Sequence, residues 1–410
     1  MKYWKKYSKT QINQRIDEAL KSVVDFQDCK YLGYPVSKLD ENVFTTTGSF
    51  LNDSPLLKSY IANPNNIGCH TLGKSEEAFK GSQELEKEAV KVLAVDIFKS
   101  EDDEYDGYIA TGGTEANIQA LWIYRNLFKK TFNASLNEMV ILSSEDTHYS
   151  VYKGSNLLSV DAVSIPVDFN SREIIVEELE KIVQNLISEG KKYFMVISNM
   201  ATTMFGSVDN PDIYADVLKK HQVEFKIHVD GAFGGFIYPI TNKLSNSNFK
   251  NPNVSSITID AHKMLQAPYG TGVFLCRKGL IENALTKEAQ YVDGMDLTIV
   301  GSRSGANAIA VWLILFSYGY YNWFEKINTL IIRTDWLCEQ LDELNIKYFR
   351  DPFMNIVTIQ SQFIPKYIAQ KFGLVPDTHN GDNRWYKVIM MSHVEIGDLM
   401  KFVEALKEDR

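Results

Sequence analysis

Through the middle of the chain, short runs rich in β-branched and aromatic residues alternate with stretches of helical periodicity. DGYIATGG, NEMVILSS, YFMVISN, FKIHVD, SSITID and TGVFLC each end in or beside small and polar residues, and the first four lead into helical segments. Alternation of this kind predicts an α/β domain with a largely parallel sheet. Ligands of such sheets gather outside the carboxyl ends of the strands. ATGGTEAN, SSEDTHYS, SNMATTM, HVDGAFGG and DAHKM would all emerge there, so five polar motifs converge on one crevice. Residues 304–324 then form an uncharged stretch, strongly apolar only from Ala308 to Phe316, which is the length of a helix buried in a core. Beyond it come a helix over 325–345, strands near NIVTIQS and YKVIMMS, and a last helix from Glu395 to Lys407. The pattern divides the chain into an N-terminal arm (1–50), a large domain (51–310) and a small α+β domain (311–410).

Composition narrows the class of protein. The 410 residues are 45% hydrophobic and 23% charged, values that support a sizeable core and exclude disorder as the main state. A net charge of −9 without a long basic run argues against nucleic-acid or anionic-membrane partners, leaving a small-molecule enzyme as the leading class. Cys29, Cys69, Cys276 and Cys338 form no CxxC pair, which fits a reducing cytoplasm and suggests neither disulfides nor a zinc module. The start of the chain places Lys2, Lys5, Lys6 and Lys9 among aromatics with no continuous apolar stretch, and reads as a helix with a solvated basic face. Ser304, Asn307, Ser317, Gly319 and Asn322 interrupt the uncharged segment and disfavour a membrane span.

Several strand ends carry candidate chemistry. Gly112, Gly113 and Thr114 follow a strand and open a helix, so free backbone N–H groups and the helix dipole would face a small anion such as a phosphate. A plain turn with Thr114 as N-cap is the simpler alternative. Asp230 is followed by Gly231 and Ala232, which leaves space beside a carboxylate for a flat ligand with a basic nitrogen; a satisfied core aspartate also fits. A metal site with His228 lacks a third ligand at a fitting spacing. Lys263 leaves a buried strand, where an ammonium is costly unless paired or neutralised, and a neutral lysine suits imine chemistry. His148 also leaves a strand end, and taken alone reads as a hydrogen-bonded structural histidine.

In order, these parts compose a pyridoxal 5′-phosphate site. TGGTEAN, DTHYSV, ATTMFGSVD, HVDGAFGGF, DAHKM and GSRSGA resemble the motifs of group II pyridoxal-phosphate-dependent amino-acid decarboxylases, of fold type I. In wording they stand nearest to bacterial histidine decarboxylases and archaeal-type tyrosine/aspartate decarboxylases, over a span from about Tyr31 to the C-terminal strand. The resemblance implies a seven-stranded cofactor domain and a homodimer with active sites at the interface. It implies that Lys263 forms the internal aldimine, that Asp230 pairs with the pyridine nitrogen, and that His148 and Ala232 hold the two faces of the ring. Gly112, Gly113, Thr114 and His262 would hold the phosphate, and Thr203 would sit near the phenolic oxygen. Arg303 would serve the phosphate or the neighbouring subunit, or else an ion pair capping the following helix, and Tyr291 would protonate the substrate carbon.

Three positions depart from the family pattern. Ala201 stands where glycine is common and fits only if its φ is negative. Asp260 replaces Ser or Asn near the phosphate, and its carboxylate is expected to turn away from a dianion. Lys387 replaces an arginine that binds a substrate carboxylate in relatives acting on acidic amino acids, although Lys387 or Arg384 could still hold one. The expected reaction is decarboxylation of an L-amino acid, first histidine or an aromatic one, then an acidic one. A carbon–carbon lyase, a transaminase and a non-catalytic scaffold are the rival readings.

Overall fold

The structure, a computed structural model, describes residues 80–285, 295–378 and 381–409, together with 55–62, 64–67 and positions 32, 40, 42 and 43. Its described strands form three sheets. A short pair joins β1 (Asn65–Ile67) to β9 (Ser302–Ser304). The main sheet contains β2 (Tyr105–Ala110), β3 (Met139–Ser144), β4 (Ala162–Ile165), β5 (Tyr193–Asn199), β6 (Glu224–Gly231), β7 (Val254–Asp260) and β8 (Gly272–Arg277). Their order across the sheet is β2-β8-β7-β6-β5-β3-β4. β8 runs antiparallel to both of its neighbours, and every other pairing is parallel. The anticipated seven-stranded, mostly parallel sheet is therefore present.

The sequence of each strand matches its place. β3 and β7 are buried at every position because helices cover both faces; β3 opens on the unbroken run MVIL, whereas β7, VSSITID, buries Ser255, Ser256 and Thr258 among its apolar residues. β4 lies at the edge and is half exposed, so AVSI carries no comparable run and was not anticipated. The helices Gly113–Phe132, Val176–Ser188 and Pro211–Lys220 supply apolar faces to the sheet.

The second domain is a four-stranded antiparallel sheet in the order β10 (Tyr348–Phe349), β11 (Ile356–Gln360), β13 (Trp385–Ile389), β12 (Val375–Pro376). Leu337, Leu341, Ile359, Val388, Phe402 and Leu406 form its core, with the helix Ile396–Glu408 packed on the sheet. One long helix, Gly305–Glu343, links the domains. Ala308, Val311, Ile314, Trp323 and Ile327 belong to the core of the large domain, whereas Leu337 and Leu341 belong to that of the small one. Residue 311 thus falls inside a helix shared by both domains. At Gly319, inside the uncharged stretch and six residues before the first charge at Glu325, the backbone leaves helical geometry (φ 65°, ψ 176°). No described helix is long and apolar enough to cross a membrane.

Candidate active site

The carboxyl ends of β2, β3, β5, β6 and β7 share one edge of the sheet, joined there by the amino end of β8. A cavity of about 410 Å³ opens at this edge, and Gly112, Gly113, Thr114, His148, Thr203, Asp230, Ala232, His262 and Lys263 all line it. The strand ends bring these residues together from positions far apart in the chain. Among the described residues, no cluster of three or more His, Cys, Asp or Glu could hold a metal.

The helix Gly113–Phe132 opens directly into the cavity, with Gly112 before it and no side-chain cap. Thr114 is therefore a first-turn residue and not the N-cap. Glu115 turns back, and its Oε2 accepts hydrogen bonds from the N–H (2.7 Å) and the hydroxyl (2.6 Å) of Thr111. Two glycines make the close approach possible. A Cβ at Gly113 would lie 2.9 Å from Asp260 Oδ2, and one at Gly272 would lie 2.6 Å from the Gly112 Cα.

Asp230, buried at the end of β6, accepts hydrogen bonds from Asn117 Nδ2 (2.7 Å) and the Ala232 N–H (3.1 Å). Asn117 Oδ1 meets His228 Nε2 at 3.0 Å, and His228 Nδ1 meets Ser256 Oγ at 2.7 Å. Burial holds the His228 pKa down to about 4, so this imidazole is neutral and acts as a fixed link between the helix and the sheet. Asn199 pins two neighbouring segments: its Nδ2 lies within hydrogen-bonding distance of Ser144 and Thr147 at the end of β3 and of Asp209 after the next turn. Neither Asn117 nor Asn199 was anticipated, because an asparagine on a helix or strand carries no distinctive spacing.

Burial lowers the pKa of His148, partly offset by the charge of Asp230. Its Nδ1 accepts from the Ser150 N–H (3.2 Å), which leaves the ring proton on Nε2. The ring also packs against exposed Tyr149, with centroids 4.0 Å apart. Lys263 Nζ lies 3.0 Å from Asp260 Oδ2, and His262 Nε2 lies 3.6 Å from the same oxygen. The expectation that Asp260 turns away is thus corrected: its carboxylate faces the cavity, drawn by the ammonium three residues along. Burial also lowers the His262 pKa, and its Nδ1 has no hydrogen-bond partner.

The turn after β5 departs from expectation too. Ala201 has φ +76°, in the left-handed region that favours glycine, so the condition of negative φ is not met. The turn is held from the other domain: Lys387, buried on β13, donates to the Thr203 carbonyl at 2.8 Å. Burial, with the charge of Lys263, brings the Lys387 pKa down to about 8. Arg384 is exposed, outside the cavity lining.

The profile of the pyridoxal-dependent decarboxylase conserved domain matches residues 35–349. The chain belongs to that family. This decarboxylase is 53% identical over 408 residues to the tryptophan decarboxylase of Clostridium sporogenes, a match covering 100% of this chain and 98% of that protein. It is 28% identical over 338 residues to the L-aspartate/L-glutamate decarboxylase of Pyrococcus horikoshii, covering 80% and 83%. Its fold is similar to that of the Catharanthus roseus tryptophan decarboxylase solved in complex with L-tryptophan, with a TM-score of 0.81, 16% identity, and coverage of 100% and 89%.

The decarboxylase uses pyridoxal phosphate, and the cavity fits it. A lysine amine and a buried carboxylate line one space together with a glycine-opened helix start, and two buried polar atoms there, Asp260 Oδ1 and His262 Nδ1, lack partners. Two of the anticipated residues stand apart. Tyr291 lies outside the described residues. Arg303 does not line the cavity: it is buried behind β2, ion-paired with Glu86 and donating to the Ile109 carbonyl at 3.0 Å. Glu86 accepts the Ile109 N–H at 2.8 Å, so the pair satisfies both backbone groups on the open edge of β2. Neither a phosphate contact nor a helix cap is its place here.

Proposed function

We propose that this decarboxylase converts L-tryptophan, or a close aromatic L-amino acid, to its amine and carbon dioxide, working as a homodimer in the reducing cytoplasm. The observation that carries the substrate reading is the 53% identity to a tryptophan decarboxylase, which extends over the whole chain and so includes the parts that contact a side chain. The cavity agrees with it. Glu115, Asp230 and Asp260 give the described lining an acidic character without any arginine, which suits an aromatic side chain better than a second carboxylate. Lys387 is engaged by Thr203. Cys276 and Cys338, buried and not joined in a disulfide, fit the compartment, and the resemblance of the motifs supports the dimer.

Pyridoxal phosphate, when bound, supplies the electron sink for the pair released with carbon dioxide. Asp230, oriented by Asn117, would keep the pyridine nitrogen protonated. Lys263 would hold the cofactor through its amine nitrogen and give up that place to the substrate amine. His148, its ring direction set by Ser150, and Ala232 would confine the ring between them. Gly112, Gly113, Thr114 and His262 would receive the phosphate, Thr203 would border the phenolic oxygen, and Tyr291 would return a proton to the substrate carbon.

The test is a panel of L-amino acids given to the purified holoenzyme, with carbon dioxide and amine both measured. Tryptophan should give the highest kcat/KM, with one amine per carbon dioxide. A preference for aspartate or glutamate would overturn the substrate reading, and a keto acid formed without carbon dioxide would show a different reaction. Lys263→Ala should remove the visible absorbance and the borohydride-reducible link to the cofactor.

A further inference from the structure

Arg172 lies outside the cavity lining, yet it touches the segments that stand behind two of the cavity walls. It sits in the hairpin turn between Val167 and Ile174 with φ +55°, a left-handed backbone that costs any side chain and persists only where the surroundings impose it. The side chain is 8% exposed. Its planar fork closes on Asp146, Nε donating to Oδ2 at 2.9 Å and Nη2 to Oδ1. Asp146 comes two residues before His148, in the segment that leaves β3. The guanidinium carbon also lies 3.9 Å from the centroid of the Phe205 ring, a cation–π contact shielded from water.

Phe205 belongs to a closed turn. The Ala201 and Thr202 N–H groups donate to the Ser207 carbonyl (3.1 and 3.0 Å), the Gly206 N–H donates to the Thr202 carbonyl (2.8 Å), and the Thr202 and Ser207 hydroxyls lie 2.7 Å apart. A shift of Phe205 therefore moves Ala201, Thr202 and Thr203, which line the cavity, as a unit. From the small domain, buried Trp385 meets the Phe205 ring edge-on at 5.7 Å, and Lys387, two residues along the same strand, holds the Thr203 carbonyl. Arg172 supplies a contact from the large domain. At the other wall, Asn199 Nδ2 lies 2.8 Å from Thr147 Oγ1, and the Arg172–Asp146 pair adds the second anchor that sets the direction in which the chain delivers His148.

We propose that Arg172 is a positioning residue of this decarboxylase: one guanidinium fixes the spacing between the His148 wall, through Asp146, and the Ala201–Thr203 wall, through Phe205, and so sets the slot that receives the cofactor ring. The inference rests on the places proposed above for His148 and Thr203 beside the cofactor, and it holds for any amino-acid substrate. The role needs a plane as well as a charge. A lysine would keep a counter-charge for Asp146 but could neither close the fork nor lie flat on Phe205.

Arg172→Lys therefore separates positioning from charge. Amide hydrogen exchange on the full chain should quicken by about tenfold or more in both 146–151 and 201–207, with β3 and β5 unchanged. Pyridoxal phosphate is achiral, so the visible circular dichroism of the holoenzyme reports the walls around its ring, and the band per bound cofactor should weaken. The kcat should fall about tenfold or more while KM stays within about threefold. Arg172→Met combined with Asp146→Asn leaves no lone buried carboxylate and should give the same changes, which covers the case in which the lysine variant does not fold. Phe205→Leu spares the ion pair and should quicken exchange in 201–207 alone. Lysine restoring every measurement to the wild-type value, or exchange unchanged in either segment of the double variant, would overturn the proposal. His148→Ala and Thr203→Val test the cofactor placement separately: a dichroic band unchanged in both would refute that placement, and the exchange rates, which need no cofactor, would still decide the role of Arg172.

Discussion

Asn117 is the residue on which the geometry of Asp230 depends. Replacing it with alanine removes the side-chain donor to Asp230 Oδ2 and one of the two partners of His228 Nε2, leaving Thr258 Oγ1 as the other. The expected cost is about 1–3 kcal/mol in stability, the usual penalty for leaving buried polar groups unpaired. A fall in kcat of about tenfold or more should accompany it, and urea denaturation with steady-state kinetics would measure both. Ala201→Gly should act in the opposite sense. It relieves a left-handed backbone that costs an alanine roughly 1–2 kcal/mol, part of which returns as entropy of the unfolded chain, so a gain of up to about 1 kcal/mol in the denaturation midpoint is expected. Lys263, Asp230 and His148 were legible in the sequence because each is a costly polar group leaving an apolar run. Asn117 was not, since its partner lies 113 residues away and only the seating of the helix on β6 brings them together. Asp260 was misjudged because repulsion from a phosphate was weighed without the attraction of Lys263.

Among the elements, β2 shows how an edge strand is protected. Ile109 presents an N–H and a carbonyl to the open side of the sheet, and the Glu86–Arg303 pair takes up both. Arg303→Met would leave Glu86 buried without its counter-charge, a loss of about 3–5 kcal/mol. Thermal unfolding should show that loss, and the cavity chemistry of whatever protein remains folded should be near normal. Retained stability with a large loss of pyridoxal phosphate affinity would return Arg303 to the phosphate. Sequence spacing could not reveal this pair, because 217 residues separate its members. The strands themselves were legible wherever both faces are covered, as in β3 and β7, and illegible at half-exposed β4. The long helix was read as two segments because its charges begin at Glu325, whereas the break in helical geometry lies earlier, at Gly319 within the uncharged stretch. Gly319→Ala meets no steric obstacle, so its expected cost of about 1–2 kcal/mol would come from the backbone alone and should appear as a lower denaturation midpoint.

For the molecule as a whole, Lys387 joins the small domain to the Ala201–Thr203 turn that lines the cavity. Its folded pKa of about 8 lies below the unfolded value near 10.4, so between these limits the unfolded chain binds more protons. This group therefore adds stability as pH rises from about 8 to 10, up to about 3 kcal/mol. Urea midpoints of wild type and Lys387→Met should diverge over that range, with the wild type gaining; parallel curves would contradict the shift. The long helix packs Ala308 to Ile327, with Leu330 and Ile331 beside them, into one core and Leu337 and Leu341 into another. A shared helix has no composition break to mark where one core ends. The antiparallel strand β8 has a further consequence for how the enzyme is made. It is wedged between β2, which leads to the glycine turn, and β7, which leads to the lysine, and the Gly279 N–H reaches back to Asp106 across 173 residues of chain. Chains halted before about residue 272 lack the strand that joins β2 to β7, and they are expected to bind pyridoxal phosphate more weakly than the full chain, which absorbance of the stalled and released chains would check.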